Sequence, residues 1–299
     1  WSATMLGRLV KEHTEIPAGV FNVITSEDPR EVGDQLVGDP RVDMVSFTGS
    51  TEVGKLIMAR ASATVKKVFL ELGGKSANIL LDDADFGSAL LSALGVCFHA
   101  GQGCAIATRL LVPKARQAEA EEILKTYFGY IQYGNPAAED QIMGPLINKR
   151  QQERVLGYIE RGKQEGARLL LGGGRPAQLP RGCYVEPTVF VDVTNDMTIA
   201  REEIFGPVLA VIAYDDEEDA IRIANDSVYG LSGAVWSADE ARALRVARRI
   251  RTGTINVNGG NFYAADAPFG GYKQSGLGRE MGAEGFEEYL ETKTIAIRV

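Results

Sequence analysis

Two side chains in this sequence are best placed to do chemistry: a cysteine behind a run of small residues and a glutamate at the end of an apolar run. Cys104 follows Ala100-Gly101-Gln102-Gly103. Neighbours with so little bulk leave a thiol accessible. A thiolate is both a strong nucleophile and a good leaving group, so Cys104 suits a two-step acyl transfer if its surroundings lower the thiol pKa. Most single cysteines are inert core residues, a description that fits Cys97 and Cys183. Glu71 lies in Phe69-Leu70-Glu71-Leu72-Gly73-Gly74-Lys75-Ser76. A partly desolvated carboxylate there has a raised pKa and takes a proton from water near neutral pH, although taken singly the favoured reading is a solvated strand-end residue.

Two further segments could bind a ligand. Phe47-Thr48-Gly49-Ser50-Thr51-Glu52-Val53-Gly54 runs from strand to helix through small residues whose amides can face a pyrophosphate. Serine and threonine before a helix usually just cap it, and the pattern is not G-x-G-x-x-G. In Glu202-Glu203-Ile204-Phe205-Gly206-Pro207-Val208 a carboxylate precedes an aromatic and a Gly-Pro turn. It could accept both hydroxyls of a ribose, or simply close a helix before the breaker. Metal chemistry has little to work with. The histidines are His13 and His99, and the spacing of the three cysteines matches no zinc site. A serine-histidine relay is equally poorly supplied, which narrows the nucleophile towards cysteine.

The elements that must position these residues follow from periodicity. With 299 residues, 45% hydrophobic and 24% charged, the chain is long enough for two compact units. Helical spacing at Met5, Leu6, Leu9 and Val10 is followed by a short β-rich run, Val20 to Thr25, and a helix-like stretch around Glu31 to Leu36. Strands are predicted at Met44 to Phe47 and Val65 to Leu72, with a helix at Val53 to Ala59 between them. A mixed helical pattern from Ala84 to Cys97 leads to the glycine-punctuated segment before Cys104 and then to a strand from Arg109 to Val112. Helices are predicted at Ala115 to Phe128, Lys149 to Glu165, Asp216 to Ala224 and Ala238 to Ile250. Strands are predicted at Leu169 to Leu171, Val189 to Val193, Val208 to Ala213 and Gly253 to Val257. Such alternation implies an α/β fold built on a parallel sheet. The alternating Thr292 to Val299 is predicted as a terminal strand in need of an edge to join.

The formal net charge of -8, with no long run of one sign, argues against nucleic acid and against an anionic membrane surface. No stretch approaches a membrane span, and no secretory leader opens the chain. A cytoplasmic or organelle-matrix protein acting on small molecules is the expectation.

Taken together, in order and spacing, the segments resemble the aldehyde dehydrogenase superfamily. The resemblance is carried by Phe47 to Gly54, Leu70 to Ser76, Gly101 to Arg109, Gly144-Pro145-Leu146, Glu202 to Val208 and Pro268 to Glu280, and the 33 positions from Glu71 to Cys104 fit it. It implies a partial Rossmann-like dinucleotide-binding domain (1–72), an α/β catalytic domain (73–271) and a return to the cofactor domain with an oligomerisation strand (272–299). It further implies NAD or NADP as cofactor, an aldehyde as substrate, no metal, and a homodimer or homotetramer. Cys104 would be the nucleophile and Glu71 the base that activates water against a thioester. Gly49, Ser50, Val53, Leu72, Glu203 and Phe205 would contact the cofactor, and Gly103, Ala105 and Phe262 the substrate.

Three departures bear on function. Ser26-Glu27-Asp28 stands where many relatives have a Gly-x-Gly, which bears on the adenine side. The chain opens at Trp1 inside the family pattern. The segment expected before it carries a side-chain amide of the oxyanion hole, a cofactor-contacting lysine and the first strands, so a chain confined to these residues is expected to bind cofactor poorly and to be nearly inactive. The neighbours of Cys104 and Phe262 include no arginine or lysine, which disfavours an aldehyde bearing a second carboxylate. Two other readings stand beside this one: an inert structural or binding protein of the same fold, and an acylating enzyme using coenzyme A, against which Glu71 argues.

Overall fold

The computed structural model describes residues 2–261 and 263–298, which form two compact units, residues 1–46 with 55–68 and residues 47–54 with 69–299. In the smaller unit, helices α1 (Ser2–His13) and α2 (Pro29–Gly38) lie where apolar spacing predicts them. Asp28 caps α2, its carboxylate accepting from the Arg30 amide at 2.9 Å, and proline opens the first turn. The expected strand at Val20 to Thr25 is absent. A strand exists only by pairing, and here the run has no ladder partner among the described residues; Val20 and Ile24 are 70% and 64% exposed.

Strand β1 (Met44–Thr48), helix α3 (Thr51–Ala61) and strand β2 (Lys67–Glu71) carry the chain from one unit to the other. The larger unit holds a seven-stranded sheet. Its strands are β3 (Ala77–Leu80), β4 (Arg109–Pro113), β5 (Arg168–Leu171), β6 (Thr188–Val191), β7 (Val208–Tyr214), β8 (Gly233–Trp236) and β9 (Asn256–Val257), in the order β5-β6-β7-β4-β3-β8-β9. Every neighbouring pair is parallel except β5 with β6. β3, β4 and β6 are buried along their whole length, as strands covered on both faces must be. The helices of this unit include α4 (Phe86–Leu91), α5 (Gln117–Gly129), α6 (Lys149–Gln164), α7 (Thr198–Arg201), α8 (Glu217–Asn225), α9 (Glu240–Ala247) and α10 (Gly282–Glu287). The short strand β10 (Gly276–Leu277) pairs antiparallel with the end of β2, Gly276 opposite Glu71 and Leu277 opposite Leu70.

Within the single chain the segment expected as a terminal strand is unpaired. Residues 292–298 lie outside any strand, with Ile295 and Ile297 78% and 85% exposed, and Val299 lies outside the described residues. No edge among the described residues receives this segment. Among the described residues, too, no helix is long and apolar enough to cross a membrane.

The sheet itself dictates where chemistry can occur. β7, β4, β3 and β8 are adjacent and parallel, so the chain enters all four from the same end. The residues just before them must therefore meet. These are Glu203 to Pro207 before β7, Cys104 to Thr108 before β4, Glu71 to Ser76 before β3 and Tyr229 to Ser232 before β8. Arg109 locks this end together. It is 2% exposed, and its guanidinium donates to Lys75 O (2.9 Å), Asn195 Oδ1 (3.0 Å), Ile223 O (3.0 Å) and Ala224 O (3.0 Å). Burial drives its pKa down to about 10, with the nearby Arg201 adding to the effect and Asp226 opposing it. Arg109→Met would strand these carbonyls away from water, and a loss of about 3–5 kcal/mol is expected. Urea unfolding followed by fluorescence checks this through the midpoint.

Candidate active site

Each loop brings one candidate group, and local geometry explains the residue types. Before β4, His99 and Ala100 adopt the left-handed conformation (φ 52° each) and Gly101 continues it at φ 72°. Such backbone is strained for side-chain-bearing residues and clusters at functional sites. A Cβ on Gly101 would collide with the Gly206 carbonyl, so glycine is what lets the nucleophile loop lie against the 203–207 segment. Phe205 is itself left-handed at φ 60°. Gln102 ties the loop down, accepting from the Ile147 amide at 3.0 Å and donating to His99 O at 2.9 Å.

Cys104 is half-buried and faces a cleft of about 400 Å³ whose lining also includes Glu71, Gly73, Gly103, Glu203 and Phe205. Its surroundings do not lower the thiol pKa as the chemistry invites. Burial pushes it up, and the charges of Glu71 and Glu203 push it further, against the backbone amides of Cys104 and Ala105. With these groups alone around it, the thiol is protonated at neutral pH. Cys97 is fully buried, and burial pushes its thiol up to about 12, which fits an inert core residue.

Glu71 is 2% exposed, and neither carboxylate oxygen has a hydrogen-bond partner among the described residues. Burial, reinforced by the charge of Glu280 and opposed by Arg279, raises its pKa to about 8. The loop carrying it is pinned from below by Ser275. That side chain is fully buried, donates to Gly73 O at 2.7 Å and accepts from the Gly230 amide at 2.9 Å, while its carbonyl accepts from the Leu72 amide at 2.9 Å.

Glu203 reaches back over the same loop. Its Oε1 accepts from the Gly74 amide at 3.1 Å, and a Cβ on Gly73 would collide with its Oε2. Gly73 and Gly74 are thus the floor under this carboxylate. Arg154 of α6 fixes the backbone of the same residue, donating to Glu203 O at 2.6 Å, and Tyr158 donates to Glu202 Oε2 at 2.7 Å.

The remaining expected contacts divide. Thr48, Gly49, Ser50 and Leu72 line the cleft; Val53 and Ala105 do not. Ser50 caps α3, its Oγ accepting from the Val53 amide at 3.3 Å and its carbonyl from Gly54 at 3.0 Å. The Gly49 amide is occupied by Glu71 O at 2.9 Å. Ala105 O lies 2.6 Å from Ser232 Oγ. Phe262 lies outside the described residues. Gln151 and Arg154 also line the cleft and carry no motif that marks them; with Tyr158 they share one face of α6 at spacings of three and four, which is the only signal the sequence holds. No cluster of three or more metal-ligating side chains occurs among the described residues.

Known proteins resemble this chain along nearly its whole length. A model of the Aldehyde dehydrogenase family matches residues 1–295. A 3-succinoylsemialdehyde-pyridine dehydrogenase from a Pseudomonas species is 48% identical over 299 residues, covering 99% of this chain and 62% of that protein. The crystal structure of a cysteine-to-alanine mutant of aldehyde dehydrogenase C from Pseudomonas syringae, in complex with NAD+ and octanal, superposes with a TM-score of 0.95 at 46% identity. It covers 98% of this chain, which spans 60% of it. A Mycobacterium tuberculosis aldehyde dehydrogenase in complex with NAD+ superposes with a TM-score of 0.84 at 49% identity, over 86% of this chain and 53% of its own. The chain thus spans little more than half to three-fifths of the length of these relatives. On the match of family, fold and converging loops, the chain belongs to the aldehyde dehydrogenase family.

Proposed function

We propose that this site oxidises an aldehyde to a carboxylic acid with NAD as hydride acceptor. Cys104 is the nucleophile and Glu71 the base for hydrolysis. The observation that carries the reading is the placement of a half-exposed thiol and a buried, unpartnered carboxylate on one cleft.

The cleft suits the cofactor on its own terms. Glu203 rests on two glycines with its carboxylate directed into the cleft lining, and α3 opens beside it at Ser50 and Thr51. Glu203 would accept the ribose hydroxyls, and the first amides of α3, with Gly49 and Ser50 beside them, would face the pyrophosphate. Leu72 and Phe205 would bound the nicotinamide end, and residues 1–72 would belong to the cofactor-binding part. When bound, the oxidised nicotinamide supplies a hydride acceptor. The NAD+ held by the Pseudomonas syringae and Mycobacterium tuberculosis enzymes supports this choice.

The chain's own residues do the rest. Cys104 releases its thiol proton to solvent water and its sulfur bonds to the aldehyde carbon, giving a thiohemiacetal whose oxyanion the Cys104 amide helps to hold. Loss of hydride leaves a thioester. Glu71, ionised, then takes a proton from water, the hydroxide adds to the thioester carbon, and the C–S bond breaks to release the acid and a thiolate, to which Glu71 returns the proton, restoring both groups. Gly103, which lines the cleft beside Cys104, would contact the substrate, and Ala105 and Phe262 are proposed to do so with it. We also propose a homodimer or homotetramer and a cytoplasmic setting.

Thiol labelling separates an enzyme from an inert protein of the same fold. Iodoacetamide should label the half-exposed Cys104 well before the fully buried Cys97, and loss of NAD reduction should follow the Cys104 label, not the Cys183 label, in peptide maps. Equal, slow labelling of the three would contradict an active site.

A further inference from the structure

Gln102 and the segment Gly144-Pro145-Leu146 perform no step of the reaction above, yet the fold joins them beside the nucleophile. The chain reaches Cys104 through His99, Ala100 and Gly101, all left-handed at φ 52°, 52° and 72°. His99 and Ala100 bear a Cβ, so the run is strained and persists only where its surroundings over-determine it. One restraint is the close contact of Gly101 with Gly206. The other is Gln102. Its backbone amide and its Nε2 both donate to His99 O, at 3.1 and 2.9 Å, and its Oε1 accepts from the Ile147 amide at 3.0 Å.

The Ile147 amide is itself held in place. Leu146 is 3% exposed and its amide donates to Cys183 O at 3.0 Å, while Asn148 caps α6, its Oδ1 accepting from the Gln151 amide at 2.9 Å. The same helix carries Arg154, which donates to Glu203 O at 2.6 Å. One carboxamide therefore ties the loop that bears the sulfur to the helix that fixes the backbone of Glu203.

We propose that Gln102 is a positioning residue whose carboxamide, clasped between His99 O and the Ile147 amide, holds the left-handed run in the conformation that delivers the Cys104 sulfur to the aldehyde carbon. The proposal rests on the reading of Cys104 as nucleophile.

The chemistry of the side chain suits the task. A carboxamide donates and accepts at once, whereas a carboxylate could only accept and would set an oxygen against His99 O. Without the clasp His99 and Ala100 are free to leave the left-handed region. The Ile147 amide, whose side chain is 78% exposed, then takes water in exchange, so α6 keeps its place and the loss falls on the sulfur. A displacement of about 1 Å at a reacting atom costs about 100-fold in rate. Gln102 also lines the cleft, so direct contact with the substrate is the rival explanation.

The test is single-turnover NADH formation by the full-length protein, in excess over aldehyde and saturated with NAD, which isolates thioester formation from hydrolysis. Gln102→Met should slow it by about 10- to 100-fold, by the same factor for short and long aliphatic aldehydes. The NAD dissociation constant should stay within about twofold and the unfolding midpoint unchanged. Adding His99→Gly to Gln102→Met should recover about threefold or more of the rate, because glycine adopts the left-handed conformation without the clasp. A rate within about threefold of the unaltered protein, a loss that varies with aldehyde length, a parallel fall in NAD affinity, or no recovery with His99→Gly would overturn the role of Gln102 and leave the site reading intact. Single-turnover NADH formation that survives Cys104→Ala would overturn both.

Discussion

Cys104→Ala is expected to reduce steady-state aldehyde oxidation by roughly 10⁴-fold or more, because among the described residues no second thiol lines the cleft. Among the described cysteines, Cys97 is fully buried and its thiol is pushed up to about 12. Cys183 is absent from the cleft lining. The substitution removes a half-exposed side chain without stranding a buried polar group, so NAD affinity and the unfolding midpoint should stay close to those of the unaltered protein. Turnover above about 1% of wild type would place the nucleophile elsewhere.

Glu71→Gln should separate the two halves of the reaction. Thioester formation needs the sulfur and the hydride acceptor, whereas hydrolysis needs a base, so the variant should release one equivalent of NADH per site in a burst. Turnover should then slow by about 10²- to 10⁴-fold. The swap is mild structurally. Burial raises the Glu71 pKa to about 8, so the carboxyl is mostly neutral at pH 7, and glutamine copies its shape. The same shift fixes the sign of the pH dependence. Below about pH 8 the acid form predominates and cannot take a proton from water; above it the carboxylate can. Hydrolysis in the unaltered enzyme should therefore rise with pH through about 8 and level off, and Glu71→Gln should lose that rise. Stopped-flow absorbance of NADH across pH measures both.

Much of this site is legible in residue types. Small residues before Cys104, paired glycines after Glu71 and the Gly-Pro turn after Glu203 mark close approaches, and the Gly101 contact with Gly206 and the Glu203 contact with Gly73 show why only glycine serves. What the pattern hides is the meeting of the loops. Two of the strands that force it, Ala77–Leu80 and Gly233–Trp236, are four residues long and lack alternation, so periodicity passes over them. Asn78 within β3 even reads as polar, yet it is paired with Ser92 Oγ at 2.8 Å and Trp236 Nε1 at 3.0 Å. The site also lies at the amino ends of the parallel strands, opposite to the end where open α/β sheets usually bind ligands, so fold-level rules mislead here.

Composition alone does not settle pairing. Val20 to Thr25 has strand-like composition, but a strand is a property of a pair, and no edge among the described residues receives this run; residues 292–298 likewise have no partner edge within the single chain. The charge state of Cys104 was equally out of reach, since it depends on Glu71 and Glu203, 33 and 99 positions away. Ser275 and Arg154 act on the catalytic loops only through the folded chain.

The most direct test of the account is the covalent intermediate itself. The Glu71→Gln protein, mixed with NAD and an uncharged aliphatic aldehyde, acid-quenched within the burst and digested, should yield the Cys104 peptide heavier by one acyl group, in amount equal to the NADH released. NADH formed in that burst with Cys104 unmodified, or with the acyl group on another residue, would contradict it.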